Sequence, residues 1–102
     1  MTGGKVYYVY ILSSKRNGTL YVGFTSSLLK RIEEHKNGKY CGFTKKYNIK
    51  RLVHFEIFDD PNTAIGREKD FKHWYRKWKI NLIEKNNPTW RDLYYDVLRY
   101  EK

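Results

Sequence analysis

The stretch YYVYILSSKRNGTLYVGFT, residues 7–25, decides how this chain begins to fold. Two runs rich in Val, Ile and Tyr, residues 6–14 and 19–25, flank an Asn-Gly pair, which is typical of a β-hairpin. Asn17 and Gly18 suit a two-residue type I′ turn, because both central residues of that turn need positive φ. We therefore predict two antiparallel strands joined by a tight turn.

The alternation of side chains assigns the hairpin residues to two faces. With a two-residue loop, Tyr10 lies opposite Thr25 and Leu12 opposite Gly23, and a four-residue loop keeps the same faces. Tyr10 and Tyr21 then share one face with Gly23, where a missing side chain often marks close approach of a ligand or another backbone. The hairpin is therefore either ordinary structure or the floor of an active site. The other face is almost entirely apolar and carries Val9, Ile11, Ser13, Leu20, Val22 and Phe24.

Hydrophobic periodicity and turn signals divide the rest of the chain into helices and strands. The expected elements are a helix over 28–37 after an N-cap at Ser26 or Ser27, a basic loop over 39–49 with or without one helical turn, and a strand over 51–58. A long helix from Asp60 and Pro61 to about Lys79 follows, and INLIEK (80–85) either continues it or forms a separate short helix. The last element is a short helix over about 89–99, with Thr89 and Asp92 spaced as a capping box. The β-β-α-β-α order predicts an α/β (α+β) fold in which helices flank a small three-stranded, mainly antiparallel sheet. We expect one domain over residues 1–102, with a core over about 6–86.

The charge balance points to a polyanionic partner. Lys and Arg number 21 against 11 Asp and Glu, a formal net charge of +10 on 102 residues. A folded surface that binds nucleic acid explains this charge better than solubility alone, and the basic and aromatic residues do not separate into the two faces that membrane binding needs. In and before the basic loop, aromatic side chains that can stack alternate with lysines that can contact phosphate. The expected nucleic-acid-binding residues are Lys30, Lys39, Tyr40, Lys45, Lys46 and Tyr47.

Cysteine use and hydropathy indicate the cellular setting. Cys41 is the only cysteine, so the chain can form no internal disulfide and no cysteine-based metal cage. Charges interrupt every apolar run, and the start MTGGKV has none of the features of a secretory signal. We therefore expect a cytoplasmic protein that does not associate with a membrane.

Arg31, His35 and Glu68 are candidates for phosphate chemistry. Arg31 and His35 are four residues apart, so they share a helix face and can converge on one phosphate, although either could be an ordinary surface residue. Glu68 falls in an apolar stripe of the long helix, where a carboxylate must be paired, protonated or bound to a cation. A salt bridge to Arg31 is the alternative to an ion such as Mg²⁺, which keeps waters and needs few protein ligands. The tryptophans are interpreted as core or end-packing residues rather than base-stacking platforms: Trp74, Trp78 and Trp90.

The ordered motifs VYI (9–11), YVG (21–23), LKR (29–31) and AIGREKDFKHW (64–74) resemble the core of the GIY-YIG nuclease family. The resemblance covers roughly residues 6–86. It is strongest with the small single-domain UPF0213 endonuclease group, and the N-terminal domain of the excinuclease that acts in nucleotide excision repair is also similar. Each motif alone is short, but the ordered set is specific.

The resemblance implies a role for each matching residue. Tyr10 and Tyr21 match the two family tyrosines, one of which helps to activate water, a task that requires its pKa to fall from about 10. Arg31 matches the arginine that stabilises phosphate charge, and Glu68 matches the single carboxylate that binds a metal ion. The remaining matches are the motif glycine, Gly23, and His35, near the scissile phosphate. We expect these catalytic side chains to meet on one concave, basic surface.

The activity implied by the resemblance is a metal-dependent nuclease that hydrolyses phosphodiester bonds in DNA with one Mg²⁺ or Mn²⁺ ion. The same resemblance implies selection of the substrate by its structure and a link to DNA repair. We expect substrate choice to come from DNA shape, branched or single-stranded, or from a targeting protein partner, and we expect a monomer. The alternative is a non-catalytic nucleic-acid-binding module that retains the fold.

Overall fold

Three strands form an antiparallel sheet, and helices cover both of its faces. The structure is a computed structural model that describes residues 5–101, with side chains as far as Arg99, so most of the start considered for a signal lies outside the described residues. The elements are β1 (Tyr7–Ser13), β2 (Leu20–Thr25), α1 (Leu28–Lys36), α2 (Gly42–Lys46), β3 (Arg51–Phe58), α3 (Pro61–His73), α4 (Arg76–Asn86) and α5 (Tyr94–Glu101).

β1 is the central strand of the sheet, in the order β2-β1-β3, and both neighbours run antiparallel to it. Its residues Val9, Tyr10, Ile11 and Leu12 have no exposed surface, because helices cover both faces. The sequence of this strand is therefore a continuous run of apolar and aromatic residues rather than an alternation of apolar and polar residues. The observed sheet confirms the predicted α+β class, and β3 occupies the predicted range.

The hairpin loop is longer than the sequence indicated. The Ser14 amide donates to the Thr19 carbonyl at 3.0 Å, which leaves Lys15–Gly18 as a four-residue loop. The type I′ prediction is wrong, because among the loop residues only Asn17 has positive φ, at 57°. The Ser14 hydroxyl accepts a hydrogen bond from the Thr19 amide at 3.0 Å, and this side-chain contact stabilises the longer loop.

The longer loop moves the hairpin register by two residues. Tyr10 lies opposite Gly23 and Leu12 opposite Tyr21, instead of the pairs expected for a two-residue loop. A shift by an even number of residues leaves every side chain on its own face. Both predicted faces are therefore confirmed, although the predicted pairs are wrong.

Two hydrophobic clusters lie on the two sides of the sheet. On the side covered by α3 and α4, the buried residues are Val9, Ile11, Val22, Val53, Ala64, Phe71, Ile83 and Trp90. On the side covered by α1 and α5, they are Tyr10, Leu12, Leu28, Ile32, Ile49, Leu52, Tyr94 and Val97. The tyrosine face of the hairpin thus packs against α1, the helix that carries Arg31 and His35.

The single long helix predicted after Asp60 is two helices. Trp74 and Tyr75 adopt extended backbone between α3 and α4, with ψ of 146° and 148°. No Gly or Pro marks the break, so its cause is tertiary. The Arg76 guanidinium at the start of α4 donates to two carbonyls of the hairpin loop, those of Asn17 and Gly18, at 2.7 and 2.6 Å.

The helix starts agree only in part with the sequence signals. Asp60 caps α3 as predicted, since its carboxylate accepts from a backbone amide three residues on at 2.8 Å and Pro61 takes the first turn. The capping box is wrong: α5 begins at Tyr94, and Asp92 alone accepts from the Tyr94 amide, at 3.0 Å, without Thr89. Within residues 5–101 no helix has the length and hydropathy needed to cross a membrane.

Candidate active site

Gly23 and Tyr10 face each other across the hairpin. A β-carbon on Gly23 would lie 2.3 Å from both Cζ and Oη of Tyr10, which is closer than non-bonded atoms approach. The predicted gap at Gly23 is therefore filled by the Tyr10 ring rather than by a ligand. Glycine is required here because a larger residue would displace the Tyr10 ring, and with it the hydroxyl that contacts α1.

Tyr10 begins a chain of buried hydrogen bonds. Its hydroxyl lies 3.0 Å from His35 Nε2, and His35 Nδ1 lies 2.9 Å from the hydroxyl of Thr44, which donates to the Cys41 carbonyl at 3.1 Å. Because Thr44 uses its only proton on that carbonyl, it must accept from His35, and Nδ1 carries the hydrogen. His35 Nε2 is then a lone pair, and the Tyr10 hydroxyl donates to it.

Burial shifts the pKa values of the side chains that form and surround these hydrogen bonds. Desolvation, with the nearby Arg31 guanidinium, lowers the pKa of His35 to about 4, so the imidazole is neutral at pH 7. Desolvation also raises the pKa of Tyr10 and raises the pKa of Tyr21 to about 12. Both tyrosines therefore shift in the direction opposite to the expectation that one would ionise more easily.

Arg31 lies beside the buried hydrogen bonds of Tyr10 and His35. Its guanidinium stacks 4.0 Å above the centre of the Tyr40 ring, and it donates to a Glu34 carboxylate oxygen at 3.3 Å and to the Phe24 carbonyl at 3.4 Å. The Tyr40 ring also meets the His35 ring edge-on, with 4.8 Å between their centres. Tyr40 thus covers both the arginine and the histidine, and the ion pair of Arg31 is made with Glu34 instead of Glu68.

An open hollow of about 400 Å³ adjoins Arg31 between the end of β2 and the start of α1. Ser27 is the N-cap of α1 but makes no side-chain cap hydrogen bond, so the first amides of the helix are not capped by a side chain. Uncapped N-terminal amides and basic side chains together favour an anion such as phosphate. The lining residues are Phe24, Thr25, Ser26, Ser27, Lys30, Arg31, Glu34 and Tyr40.

The structure brings four of the five predicted catalytic residues together. Tyr21 lies 5.2 Å from His35 and 6.4 Å from Tyr10 between ring centres, and Arg31 is one helical turn before His35. Sequence reasoning missed Thr44, whose contact with His35 depends on α2 folding back over α1. It also missed Glu34, although the i,i+3 spacing from Arg31 on a helix is a local signal for such a contact.

Glu68 is not part of this cluster. It lies on α3, and Ala64 and Phe71 of that helix pack on the side of the sheet opposite to Tyr10. The prediction of one surface for all five residues is therefore wrong for Glu68, because its helix covers the other face. The Glu68 carboxylate pairs with Lys72 at 3.0 Å, and its side chain is 19% exposed.

The direction of Glu68 follows from its neighbour. Arg67 forms two hydrogen bonds with Glu56 on β3, at 2.9 and 3.2 Å. Residues 64, 68 and 71 share one face of α3, and Ala64 and Phe71 on that face are buried against the sheet. Arg67 lies on the flank of this face toward β3, so Glu68 lies on the other flank, toward edge strand β2. The carboxylate is thus on the far face of the sheet but toward the strand that borders the hollow.

The predicted nucleic-acid-binding residues are exposed and lie on α2 and the residues that flank it, except Lys30, which lies on α1 at the hollow. Tyr40, Phe43 and Tyr47 are 43%, 45% and 46% exposed, and Phe43 and Tyr47 have ring centres 4.9 Å apart. The predicted lysines are exposed, and within the described residues none forms an ion pair: Lys30, Lys39, Lys45 and Lys46. Unpaired cations beside exposed rings suit phosphates and bases.

The described part of the chain has no group of three or more His, Cys, Asp or Glu side chains that could enclose a metal ion.

The family model for the GIY-YIG catalytic domain matches residues 6–81. The match spans the tyrosine hairpin, the arginine helix α1 and the glutamate helix α3. The fold described above is therefore that of a GIY-YIG domain.

Proteins of similar sequence assign the chain to a narrower group within the GIY-YIG family. A UPF0213 protein of Pediococcus pentosaceus is 38% identical over 87 residues, which cover 85% of this chain and 90% of the relative. A UPF0213 protein of Syntrophus aciditrophicus is 40% identical over 80 residues, which cover 78% and 91%. The solution NMR structure of a UPF0213 protein from Bacillus halodurans is 32% identical and superposes with a TM-score of 0.51, covering 80% of this chain and 86% of that one. The chain belongs to the UPF0213 group of the GIY-YIG family.

Proposed function

We propose that this protein is a metal-dependent nuclease that hydrolyses phosphodiester bonds in DNA. The observation that carries the proposal is the 3.0 Å contact between the Tyr10 hydroxyl and the lone pair of His35, beside Arg31. A phenol that donates to a neutral imidazole keeps its own oxygen available to accept a proton from water. Arg31 is placed next to this pair, where its planar guanidinium suits phosphate oxygens.

The proposed proton path runs inward. As water attacks phosphorus, its proton passes to the Tyr10 oxygen while the Tyr10 proton passes to His35 Nε2. The bond between phosphorus and the leaving oxygen breaks, and that oxygen takes a proton from solvent. This transfer avoids a free phenolate, which the raised pKa of Tyr10 makes unfavourable. It forms an imidazolium, and the negative charge of the bound phosphate offsets the lowered pKa of His35. Thr44 keeps Nε2 unprotonated before the reaction, because it accepts the hydrogen on Nδ1.

Glu68 fits the role of single metal ligand. Its partner Lys72 is 52% exposed, and an ion pair at the surface contributes little, so the carboxylate is easily released from it. One carboxylate suits Mg²⁺ or Mn²⁺, which complete their shells with water and phosphate oxygens. A bound ion would supply positive charge to the phosphates of the strand where it passes the edge of β2, beside the hollow. The position of Glu68 toward β2 requires that the DNA backbone pass around that edge strand.

Access to Tyr10 requires a movement of Tyr40. Tyr10 and His35 have no exposed surface, whereas Tyr40, which covers Arg31 and His35, is 43% exposed. We propose that a nucleotide of the substrate stacks on Tyr40 and draws it away, which admits water to the Tyr10 hydroxyl. Cleavage is thereby coupled to binding, since the catalytic pair is closed in the free protein.

Substrate choice in this proposal depends on DNA shape. The cationic surface of α2 contacts phosphates and stacks on bases, and neither contact distinguishes a sequence. Branched, flapped or single-stranded DNA exposes bases that duplex DNA hides, and such structures occur in DNA repair. A targeting protein that brings the nuclease to its substrate would add selectivity to the same surface.

Single-turnover cleavage tests the proposal. The substrates are branched, flapped and single-stranded DNA, with Mg²⁺ or Mn²⁺ and with chelator. Glu68→Gln should abolish cleavage and retain binding, because it removes the charge and keeps the size of the side chain. Asp70→Asn is the matched control, since it removes an exposed carboxylate from the same helix. Tyr10→Phe should reduce the rate by roughly 10²-fold or more, the usual size of a general acid–base contribution.

The variants also separate the rival possibilities. If Glu34→Gln loses cleavage and Glu68→Gln retains it, the carboxylate of the hollow is the metal ligand and the assignment to Glu68 is wrong. If wild type shows no metal-dependent cleavage, or the same rate as Glu68→Gln, the protein is a non-catalytic nucleic-acid-binding module. The raised pKa of both Tyr10 and Tyr21 is the observation that favours this second function.

A further inference from the structure

Two aromatic side chains stand at the surface where α3 meets α4, far in sequence from the tyrosine cluster. Tyr75 is 72% exposed and Trp78 is 50% exposed. Their rings meet edge-on with 5.1 Å between centres. The sequence analysis interpreted Trp78 as a core or end-packing residue rather than a base-stacking platform, so its exposure is a finding of the structure. An exposed ring pair of this size on a small domain indicates a surface that binds something.

The backbone holds these rings in place. The extended residues Trp74 and Tyr75 turn the chain outward between the helices, and Arg76 fixes the start of α4 to the hairpin loop through two hydrogen bonds. The Trp74 ring packs edge-on against the Trp78 ring, with 6.0 Å between their centres. Trp74 itself packs on Phe71 of the core at 5.0 Å. The rings are therefore presented before any ligand arrives, which reduces the entropy cost of binding.

The surroundings of the two rings are positively charged. Lys72, Arg76 and Lys77 are exposed on the same stretch of chain. Burial and the Arg76 guanidinium lower the pKa of Lys79, which shows that cations are crowded here. Among the described residues, Arg76, Lys77 and Lys79 form no ion pair. Charge complementarity thus selects an anionic partner rather than an apolar one.

We propose that the ring pair of Tyr75 and Trp78 is a second binding site, which stacks the unpaired bases of a single-stranded nucleic acid. Stacking needs only an exposed π-face, and the adjoining cations neutralise the phosphates between the bases. Duplex DNA does not fit, because its bases are already stacked. The inference rests on the proposed function for the identity of the polymer, and its binding test does not require cleavage.

The position of the ring pair relative to Glu68 indicates which part of a substrate it would hold. Tyr75 follows Glu68 by seven residues, five of them along α3 and two in extended backbone, so their Cα atoms are at most about 14 Å apart, a few nucleotides of single strand. A strand that passes Glu68 at the edge of β2 therefore reaches the ring pair within a few nucleotides. The site would hold the unpaired arm of a branched substrate while the junction lies at the hollow.

The test is a binding measurement with two probes of equal charge. Labelled oligothymidylate of about 12 nucleotides offers bases and phosphates, and an abasic strand of the same length offers phosphates alone. Tyr75→Ala and Trp78→Ala should each weaken binding to oligothymidylate by about 5- to 100-fold and leave binding to the abasic strand unchanged. Tyr95→Ala is the matched control, because Tyr95 is an exposed tyrosine, 58% accessible, on α5. It should bind both probes as wild type does.

Equal losses on both probes would overturn the proposal, because they would show an effect of charge or folding. Unchanged affinity of both variants for oligothymidylate would also overturn the proposal. It would mean that the exposed rings bind a partner other than single-stranded nucleic acid. The Tyr75→Ala variant is expected to stay folded, since a side chain that is 72% exposed contributes little to the core. A loss of binding in this variant would therefore reflect the ring and not unfolding. Binding by the ring pair in a protein that cleaves nothing would support this site while the proposed nuclease function fails.

Discussion

The Tyr10 hydroxyl lies 3.0 Å from His35 Nε2, and this hydrogen bond joins β1 to α1 across 25 residues of sequence. Both partners are fully buried, and Tyr10 is also a member of the hydrophobic cluster on that side of the sheet. The groups proposed to move a proton are therefore also groups that hold the fold. Substitutions here are expected to change stability and activity together.

The buried neutral His35 predicts a pH-dependent stability. Its pKa is lowered from 6.5 to about 4, so the unfolded chain binds the proton more readily between these values. The free energy of unfolding should be unaffected by His35 above about pH 6.5 and should fall as the pH decreases toward 4, by at most about 3 kcal/mol. Urea unfolding at several pH values measures this loss.

His35→Gln provides the comparison for that measurement. An amide can still accept from Tyr10 and donate to Thr44, but it does not titrate. The difference in stability between wild type and His35→Gln should therefore change between pH 4 and 6.5. Parallel curves over this window would show that His35 is not held neutral.

Thr44 is predicted to act through the tautomer of His35. Thr44→Val keeps the shape but leaves His35 Nδ1 without its acceptor, so cleavage should fall roughly 10-fold or more, and unfolding should cost about 1–3 kcal/mol less. Thr44→Ser should restore both. Nitrogen NMR of the His35 ring reports the tautomer directly, and an unchanged spectrum in Thr44→Val would contradict this role. DNA affinity should not change, because Thr44 is buried.

Gly23 is predicted to matter only while Tyr10 is present. Gly23→Ala places a β-carbon 2.3 Å from the Tyr10 ring, and overpacking of this kind costs about 1–3 kcal/mol. In a Tyr10→Ala background the same substitution should cost much less, because the ring is gone. A double-mutant cycle of unfolding free energies measures the coupling. Additive costs would mean that Gly23 is required for its backbone alone.

The lysines of the α2 surface should control affinity without controlling sequence preference. Reversal of Lys39, Lys45 and Lys46 to Glu should weaken binding to every DNA tested by a similar factor and should reduce the dependence of affinity on salt, because phosphate contacts are lost. Titrations at several salt concentrations measure both effects. A wild-type affinity independent of salt would rule out an electrostatic interface at this surface.

The sequence predicted the two faces of the hairpin more reliably than its register. Alternation alone assigned Tyr10, Tyr21 and Gly23 to one face, and an even shift leaves that assignment intact. The loop length could not be read from Asn17 and Gly18, because the Ser14 hydroxyl competes for the amide of Thr19. Local propensity does not include such a contact.

The helices show the same division between local and tertiary causes. The spacing of Arg31 and His35 was sufficient to place both on one face of α1. The break before Arg76 and the position of Glu68 on the far side of the sheet depend on how α3 and α4 pack, and no periodicity in the sequence HWYR indicates it. The contact of Thr44 with His35 likewise arises only when α2 folds over α1.

Alternation along the central strand makes β1 the shared wall of two cores. Val9 and Ile11 belong to one hydrophobic cluster, and Tyr10 and Leu12 belong to the other. A substitution that loosens the packing around Tyr10 therefore leaves the side-chain contacts of Val9 and Ile11 in place. The damage should reach the opposite cluster only through the backbone of β1.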